Sequence, residues 1–194
     1  MTEINALCVY CGATDSVDPL FLDQAYSFGA QLARNSIALV YGGGRAGSMG
    51  RIADGALSGK GHVTGIIPDY LVDKELAHTG IDELVQVDSM HTRKMEMFKR
   101  ADAFCILPGG LGTLDEFFEI VTWKQLGMHD KPVILLNQNE YWTPMISCLN
   151  HMGKTGFIRR SPNEIFHIAQ DFDHVMELLE LAPVPQVAAN TARF

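Results

Sequence analysis

Six short apolar runs, at 6–11, 37–41, 63–67, 84–87, 103–107 and 133–136, alternate with longer stretches of helical period. Such runs are nearly continuous in apolar residues, so a strand made from them is covered on both faces. An antiparallel strand with one wet face would alternate apolar and polar residues instead. Between the first two runs Phe21, Ala25, Phe28 and Leu32 recur at helical spacing, and further helices are predicted near 49–57, 90–100, 114–126, 141–152 and 171–181. Buried strands separated by helices predict an α/β fold: a doubly wound, Rossmann-like parallel sheet with helices on both faces.

The length of 194 residues suits one domain with a substantial core, expected over 1–181. The end, 182–194, is small, Pro-containing and aperiodic, and reads as a loose tail. With 47% apolar residues the chain is not of disordered composition, and its net charge of −8 argues against a broad nucleic-acid or anionic-membrane surface. A local basic site stays open. The opening Met1-Thr2-Glu3-Ile4-Asn5 lacks the positive region of a signal peptide, and no apolar run approaches a membrane span. A cytoplasmic protein with neither a nucleic-acid nor a membrane partner is expected.

In open α/β sheets ligands bind at the carboxyl ends of the strands. Three informative stretches fall there: Gly12-Ala13-Thr14, then Gly42-Gly43-Gly44-Arg45-Ala46-Gly47, then Pro108-Gly109-Gly110-Leu111-Gly112-Thr113. One site could gather all three. The third is the most specific. It joins the run 103–107 to a helical pattern of Leu114, Phe117, Phe118 and Val121. A strand, glycine loop and helix in that order aim free N–H groups and the positive helix end at an anion, most often phosphate. Thr113 can cap the helix or donate to phosphate. Glu116 follows about one turn in, and helical side chains lean toward the N-terminus, so its carboxylate leans back toward the ligand. An acid there also stabilises the helix end by about 0.3–1 kcal/mol, a task Asp115 could do alone.

The second loop fits GxGxxG through Gly42, Gly44 and Gly47, with Asp69 about 20 residues on. The fingerprint usually follows the first strand of its unit, whereas this loop follows the second, and Asp69 after Pro68 also suits a simple turn. No GK[ST] follows, so it is not a Walker loop. Gly12, Gly43, Gly44 and Gly47 are instead expected to shape one pocket wall. Ser89-Met90-His91-Thr92-Arg93-Lys94 opens another helix, with Ser89 or Asp88 as cap and two adjacent cations suited to an anionic ligand. For Lys94 a solvated surface position is an equal alternative.

Cys8 and Cys11 form a CxxC, but Cys8 lies inside a strand-like run, and neither a helix opening nor a second ligand pair is present to support redox or zinc chemistry. The histidines show no metal-ligand spacing and no GxSxG occurs. Phe117, Phe118 and Trp123 read as core rather than base-stacking residues.

Taken together, PGGLGTLDE (108–116) resembles a PGGxGTxxE signature, and SMHTRK (89–94) resembles its companion SMxxRK. YGGGRAGSMG (41–50) and 126–132 add to the likeness, which covers most of 5–180. The family so resembled is LONELY GUY, the cytokinin riboside 5′-monophosphate phosphoribohydrolases. The resemblance implies hydrolysis of the N-glycosidic bond of N6-substituted adenosine 5′-monophosphates, giving free base and ribose 5-phosphate. It implies Arg93 and Glu116 as the catalytic pair. It places Pro108, Gly109, Gly110, Leu111, Gly112 and Thr113 at the substrate, with the glycines and Thr113 on the phosphate. Glu75, Met90, Arg93, Lys94 and Thr122 complete the contacts. It further implies a homodimer at least, with outer-layer helices at the interface. Members have also carried the label lysine decarboxylase, for which no Schiff-base lysine is assignable here. Two departures lie near the site: Leu111 stands where plant members often have tyrosine, and Asp115 where glutamate is common.

N-ribosyl cleavage passes through an oxocarbenium-like state, so a nearby carboxylate stabilises the transition state more than the ground state. That chemistry calls for no metal and no redox cofactor. A broader purine nucleotide 5′-monophosphate nucleosidase, acting also on AMP, fits the same residues. A non-catalytic nucleotide-binding module and a Rossmann-type oxidoreductase are the readings from other classes.

Overall fold

The computed structural model describes residues 4–72, 76–158, 161–183 and 187. Among these, seven strands pair in parallel with neighbours of their own unit and are interleaved with helices as predicted. The chain separates into two compact units, one over 4–102 and one beginning at 103.

The first unit holds β1 (Ala6–Tyr10), α1 (Pro19–Arg34), β2 (Ala38–Tyr41), α2 (Gly47–Ser58), β3 (Val63–Pro68), β4 (Glu83–Val87) and α3 (Met90–Arg100). Its strands lie in the order β4-β3-β2-β1. Register is set by Leu7 against Leu39, Val40 against Thr64, and Ile66 against Val85. Every residue of β3 is buried, which requires cover on both faces, because successive side chains point to opposite sides. β4 is half-exposed, as suits a border strand. Asp18 caps α1, accepting from the Leu20 N–H at 2.9 Å, and Pro19 supplies a first helical residue that needs no partner. α1 and α2 pack at glycine distance. A Cβ at Gly29 would meet the Ile52 carbonyl at 2.0 Å, and one at Gly55 would meet that of Tyr26 at 2.0 Å.

The second unit holds β5 (Ala103–Ile106), α4 (Leu111–Gln125), β6 (Val133–Leu136), α5 (Thr143–Lys154), α6 (Pro162–Ile165), β7 (His167–Ala169) and α7 (Phe172–Glu180). Its strands lie in the order β5-β6-β7, with Cys105 against Ile134 and Leu135 against Ile168. β5 and β6 are buried throughout. The sequence reading contained neither α6 nor β7, which are four and three residues long and too short for either period to register. Of the expected tail, only Ala182, Pro183 and Val187 are described. Ala182 is buried, and the Val187 N–H donates to Asp130 at 3.0 Å.

α4 corrects the reading of the third loop. The helix begins at Leu111, not Leu114, so Gly112 and Thr113 belong to its first turn. Gly110 adopts the extended N-cap conformation, and its carbonyl accepts from the Leu114 N–H at 3.0 Å. Thr113 is therefore not the cap and lies buried in the first turn. Phe117 is buried as expected, but Phe118 is 39% exposed and not a core residue. Cys8 sits inside β1, and both it and Cys11 are buried and unbridged, in keeping with a structural role. Asp69 opens a single 3-10 turn, Asp69–Leu71, and is exposed, so the simple-turn reading holds for it.

Candidate active site

In the first unit the site is built around Arg93. α3 starts at a strong cap: Ser89 Oγ accepts from the Thr92 N–H at 3.1 Å, and Asp88 accepts from the Thr92 hydroxyl at 2.6 Å. The Thr92 and Ser89 hydroxyls hold the Asp88 carboxyl below its usual pKa. One turn on, Arg93 is only 4% exposed. Its Nε donates to the Ile66 carbonyl at 3.1 Å, and Nη2 donates to the Gly42 carbonyl at 2.7 Å. Nη1 lies 3.6 Å from the sulfur of Met90. A buried guanidinium must have its donors satisfied, and here main-chain oxygens of β3 and of the loop after β2 supply the acceptors. Met90 and Arg93, both expected at the substrate, are thus side by side. Lys94 is half-buried beside them in sequence.

The second glycine loop supplies one acceptor of Arg93. A Cβ at Gly42 would lie 2.1 Å from Arg93 Nη2 and 2.9 Å from the Met49 sulfur, so only glycine lets the guanidinium settle. Gly47 has φ +60° and would place a Cβ 2.5 Å from the Thr14 nitrogen. The N-terminus of α2, which the GxGxxG pattern would offer to a pyrophosphate, already faces a carboxylate. Asp15 accepts from the Gly47 N–H at 2.8 Å. Met49 N donates to the Gly12 carbonyl at 3.2 Å, tying the loop after β1 to α2. Asp15 was not among the expected residues, because its partner lies 32 positions away.

In the second unit the N-terminus of α4 is the anion-accepting feature. Gly110 makes no side-chain capping bond, and no acidic residue occupies the first turn. A Cβ at Gly110 or Gly112 would meet nothing within 4 Å, and both glycines are exposed. Leu111, 86% exposed, stands at the mouth. Tyr141, which the sequence reading missed, donates its hydroxyl to the Gly109 carbonyl at 2.7 Å and fixes the loop. Pro108, Gly109, Gly110, Leu111, Gly112 and Thr113 are consecutive, and Glu116 follows half-buried in the next turn.

Thr122 is not gathered with them. At a rise of ~1.5 Å per residue it lies roughly 15 Å along α4 from the glycines. It is exposed and lines an apolar groove of about 150 Å³ with Phe118, Leu149, Met152, Ile165 and Phe166. Glu75 lies outside the described residues. At the far end of α4, His129 is buried and donates from Nε2 to the Ile120 carbonyl at 2.9 Å. Burial lowers its pKa to about 4. Burial also lowers that of Lys124, whose Nζ donates to the Lys131 carbonyl at 2.9 Å. Among the described residues no group of acidic, histidine and cysteine side chains is arranged to hold a metal ion.

Parallel strands interleaved with helices define a class, the Rossmann-like α/β proteins, and the glycine-lined N-terminus of α4 is the kind of anion-accepting feature that such proteins carry. Comparison narrows this. A family model described as "Possible lysine decarboxylase" matches residues 49–179. A cytokinin riboside 5′-monophosphate phosphoribohydrolase of Rhodococcoides fascians is 41% identical over 170 residues, covering 87% of this chain and 86% of that one. One from Arabidopsis thaliana is 40% identical over 179 residues, covering 92% and 83%. Among solved structures, the molybdenum cofactor binding protein of Rippkaea orientalis superposes with a TM-score of 0.68 at 22% identity, covering 93% of this chain and 98% of that one. The Moco carrier protein of Chlamydomonas reinhardtii gives 0.69 at 17%, covering 92% and 97%. These two show the fold alone. The chain belongs to the LONELY GUY family of cytokinin riboside 5′-monophosphate phosphoribohydrolases.

Proposed function

We propose that this protein hydrolyses the N-glycosidic bond of cytokinin riboside 5′-monophosphates, and of AMP, releasing free base and ribose 5-phosphate. The observation that carries the reading is the α4 N-terminus: uncapped by any side chain, lined by glycines open to solvent, and followed in the next turn by Glu116. Its N–H groups and dipole suit a 5′-phosphate. Anchored there, the ribose is held against Glu116, which converts binding into orientation. As the bond to the base stretches, positive charge grows on the ribose, and the Glu116 carboxylate stabilises it and aligns the attacking water. Arg93 stabilises the departing base or orients the phosphate. Its main-chain acceptors fix the guanidinium before substrate arrives. Pro108, Gly109, Gly110, Gly112 and Thr113 form the cradle, Met90 and Lys94 flank Arg93, and Leu111 at the mouth bears on base preference. Gly12, Gly43, Gly44 and Gly47 shape a wall, and Glu75 completes the contacts.

The reading includes a homodimer in the cytoplasm. No helix among the described residues is long and apolar enough to cross a membrane, and all four cysteines are thiols outside any disulfide, which suits a reducing compartment. Thr122, remote from the glycines along its own helix, is the contact that a second copy would bring to a site. The decisive experiment incubates purified protein with a panel of nucleoside monophosphates and quantifies released base. Glu116→Gln and Arg93→Ala each lower turnover by about 10²-fold or more. Full turnover in either folded variant removes that residue from the chemistry. Equal rates on adenosine and AMP remove the phosphate anchor.

A further inference from the structure

Arg93 rests on the Gly42 carbonyl, so whatever fixes the 42–45 loop fixes the guanidinium. The loop is held along one side by residues 76–78. The Arg45 N–H donates to the Leu76 carbonyl at 3.0 Å, and the His78 N–H donates to the Gly43 carbonyl at 2.9 Å. Gly44 and Ala77 form an isolated antiparallel bridge between them. Gly43 has φ +77° and is packed within 3.3 Å of where a Cβ would touch Ile66 and Ile67, so the loop has little room to adjust.

This ribbon is anchored by the His78 side chain. His78 is 7% exposed and buried from solvent on its own strand-like segment. Its Nδ1 accepts from the Gly80 N–H at 3.2 Å, which leaves the ring proton on Nε2. Nε2 lies 3.1 Å from Asp54 Oδ1, to which it donates. Asp54 belongs to α2, which is itself locked against α1 by glycine contacts. The chain of contacts therefore runs from a rigid helix pair through Asp54 and His78 to Gly43 and, one residue on, to the acceptor of Arg93.

We infer that Asp54 and His78 are positioning residues, which set the placement of the Arg93 guanidinium through the Gly42–Arg45 loop. The inference rests on the proposed role of Arg93 in base release. Asp54 is the better test position, because its side chain is half-exposed and its removal spares the core. Asp54→Ala removes the acceptor for Nε2–H, whereas Asp54→Asn keeps an oxygen in its place.

The test measures kcat and KM for AMP and an N6-isopentenyl analogue, with thermal melting of each variant. Asp54→Ala is expected to lower kcat by about tenfold at nearly unchanged KM and melting midpoint, since small misplacements of an oriented group cost rate before they cost binding. Asp54→Asn is expected to restore most of the loss. In an Arg93→Ala background Asp54→Ala is expected to cost nothing further, because the group it positions is gone. Wild-type turnover in Asp54→Ala alongside a crippled Arg93→Ala overturns the inference and leaves the role of Arg93 standing. A loss of the same size in both backgrounds also overturns it, as does a loss that follows the melting midpoint. Full turnover in Arg93→Ala overturns the catalytic reading, and the positioning role with it.

Discussion

Two residues show how burial is turned to opposite ends. Arg93 has its donors met in the interior by main-chain acceptors, while burial keeps His129 neutral against the opposing pull of its hydrogen bond to Ile120. The unfolded chain takes a proton on His129 near 6.5, but the folded chain takes one only near 4. Its contribution to stability is therefore intact above pH 6.5, falls as the pH drops from 6.5 to 4, and is constant below that. At ~1.36 kcal/mol per unit, roughly 2 kcal/mol is lost between pH 7 and pH 5. His167, lowered by burial and then by Lys124, adds in the same direction. Urea unfolding at the two pH values checks this: His129→Gln should flatten the difference, and an unchanged difference would show that another group sets it. Gly42 gives the residue-scale prediction for the site. Gly42→Ala drives a methyl into the guanidinium, so turnover should fall by at least about tenfold while the fold persists. Base-release assays and circular dichroism on one preparation separate the two effects.

Helix ends carry most of the element-scale logic. Asp15 holds the N-terminus of α2, so Asp15→Ala should cost about 1 kcal/mol in urea unfolding. An unaltered midpoint would show that solvent serves that end equally well. α4 has no such side chain at its start, which leaves its dipole for a ligand. This contrast was only half legible in the sequence. Apolar runs and helical spacing located β1 to β6 and the main helices, because buried parallel strands and amphipathic helices leave strong periods. The start of α4 was placed three residues late, because Gly110 and Gly112 read as loop although glycine is tolerated in a first turn. The pairing of Asp15 with Gly47 carries no local signal, and β7 is too short to carry one. At the site, the cradle and both proposed catalytic residues were legible as motifs. Tyr141 and the His78–Asp54 pair were not, since each acts through a partner distant in sequence.

Across the whole molecule, the −8 net charge repels a polyanion, so affinity for a nucleotide must arise locally. Raised salt should accordingly change KM for AMP far less than it changes binding of a protein to a nucleic-acid surface. A KM that climbs by orders of magnitude between low and physiological salt would contradict this. The proposed homodimer has a matching test. Phe118, Met152 and Phe157 are exposed by 39%, 39% and 82%, and the first two line the groove that also holds Thr122. Met152→Glu with Phe157→Glu should yield monomers in sedimentation velocity; a wild-type profile would place any interface elsewhere. The acceptors of Arg93 have a different status from all these side chains. No codon change deletes the carbonyl of Gly42 or Ile66, so alanine scanning passes over them in silence. Drift can crowd that cradle but cannot strip it, because it is inherited with the sheet. Only a change of backbone chemistry, such as an ester in place of the amide joining residues 42 and 43, would weaken it atom by atom.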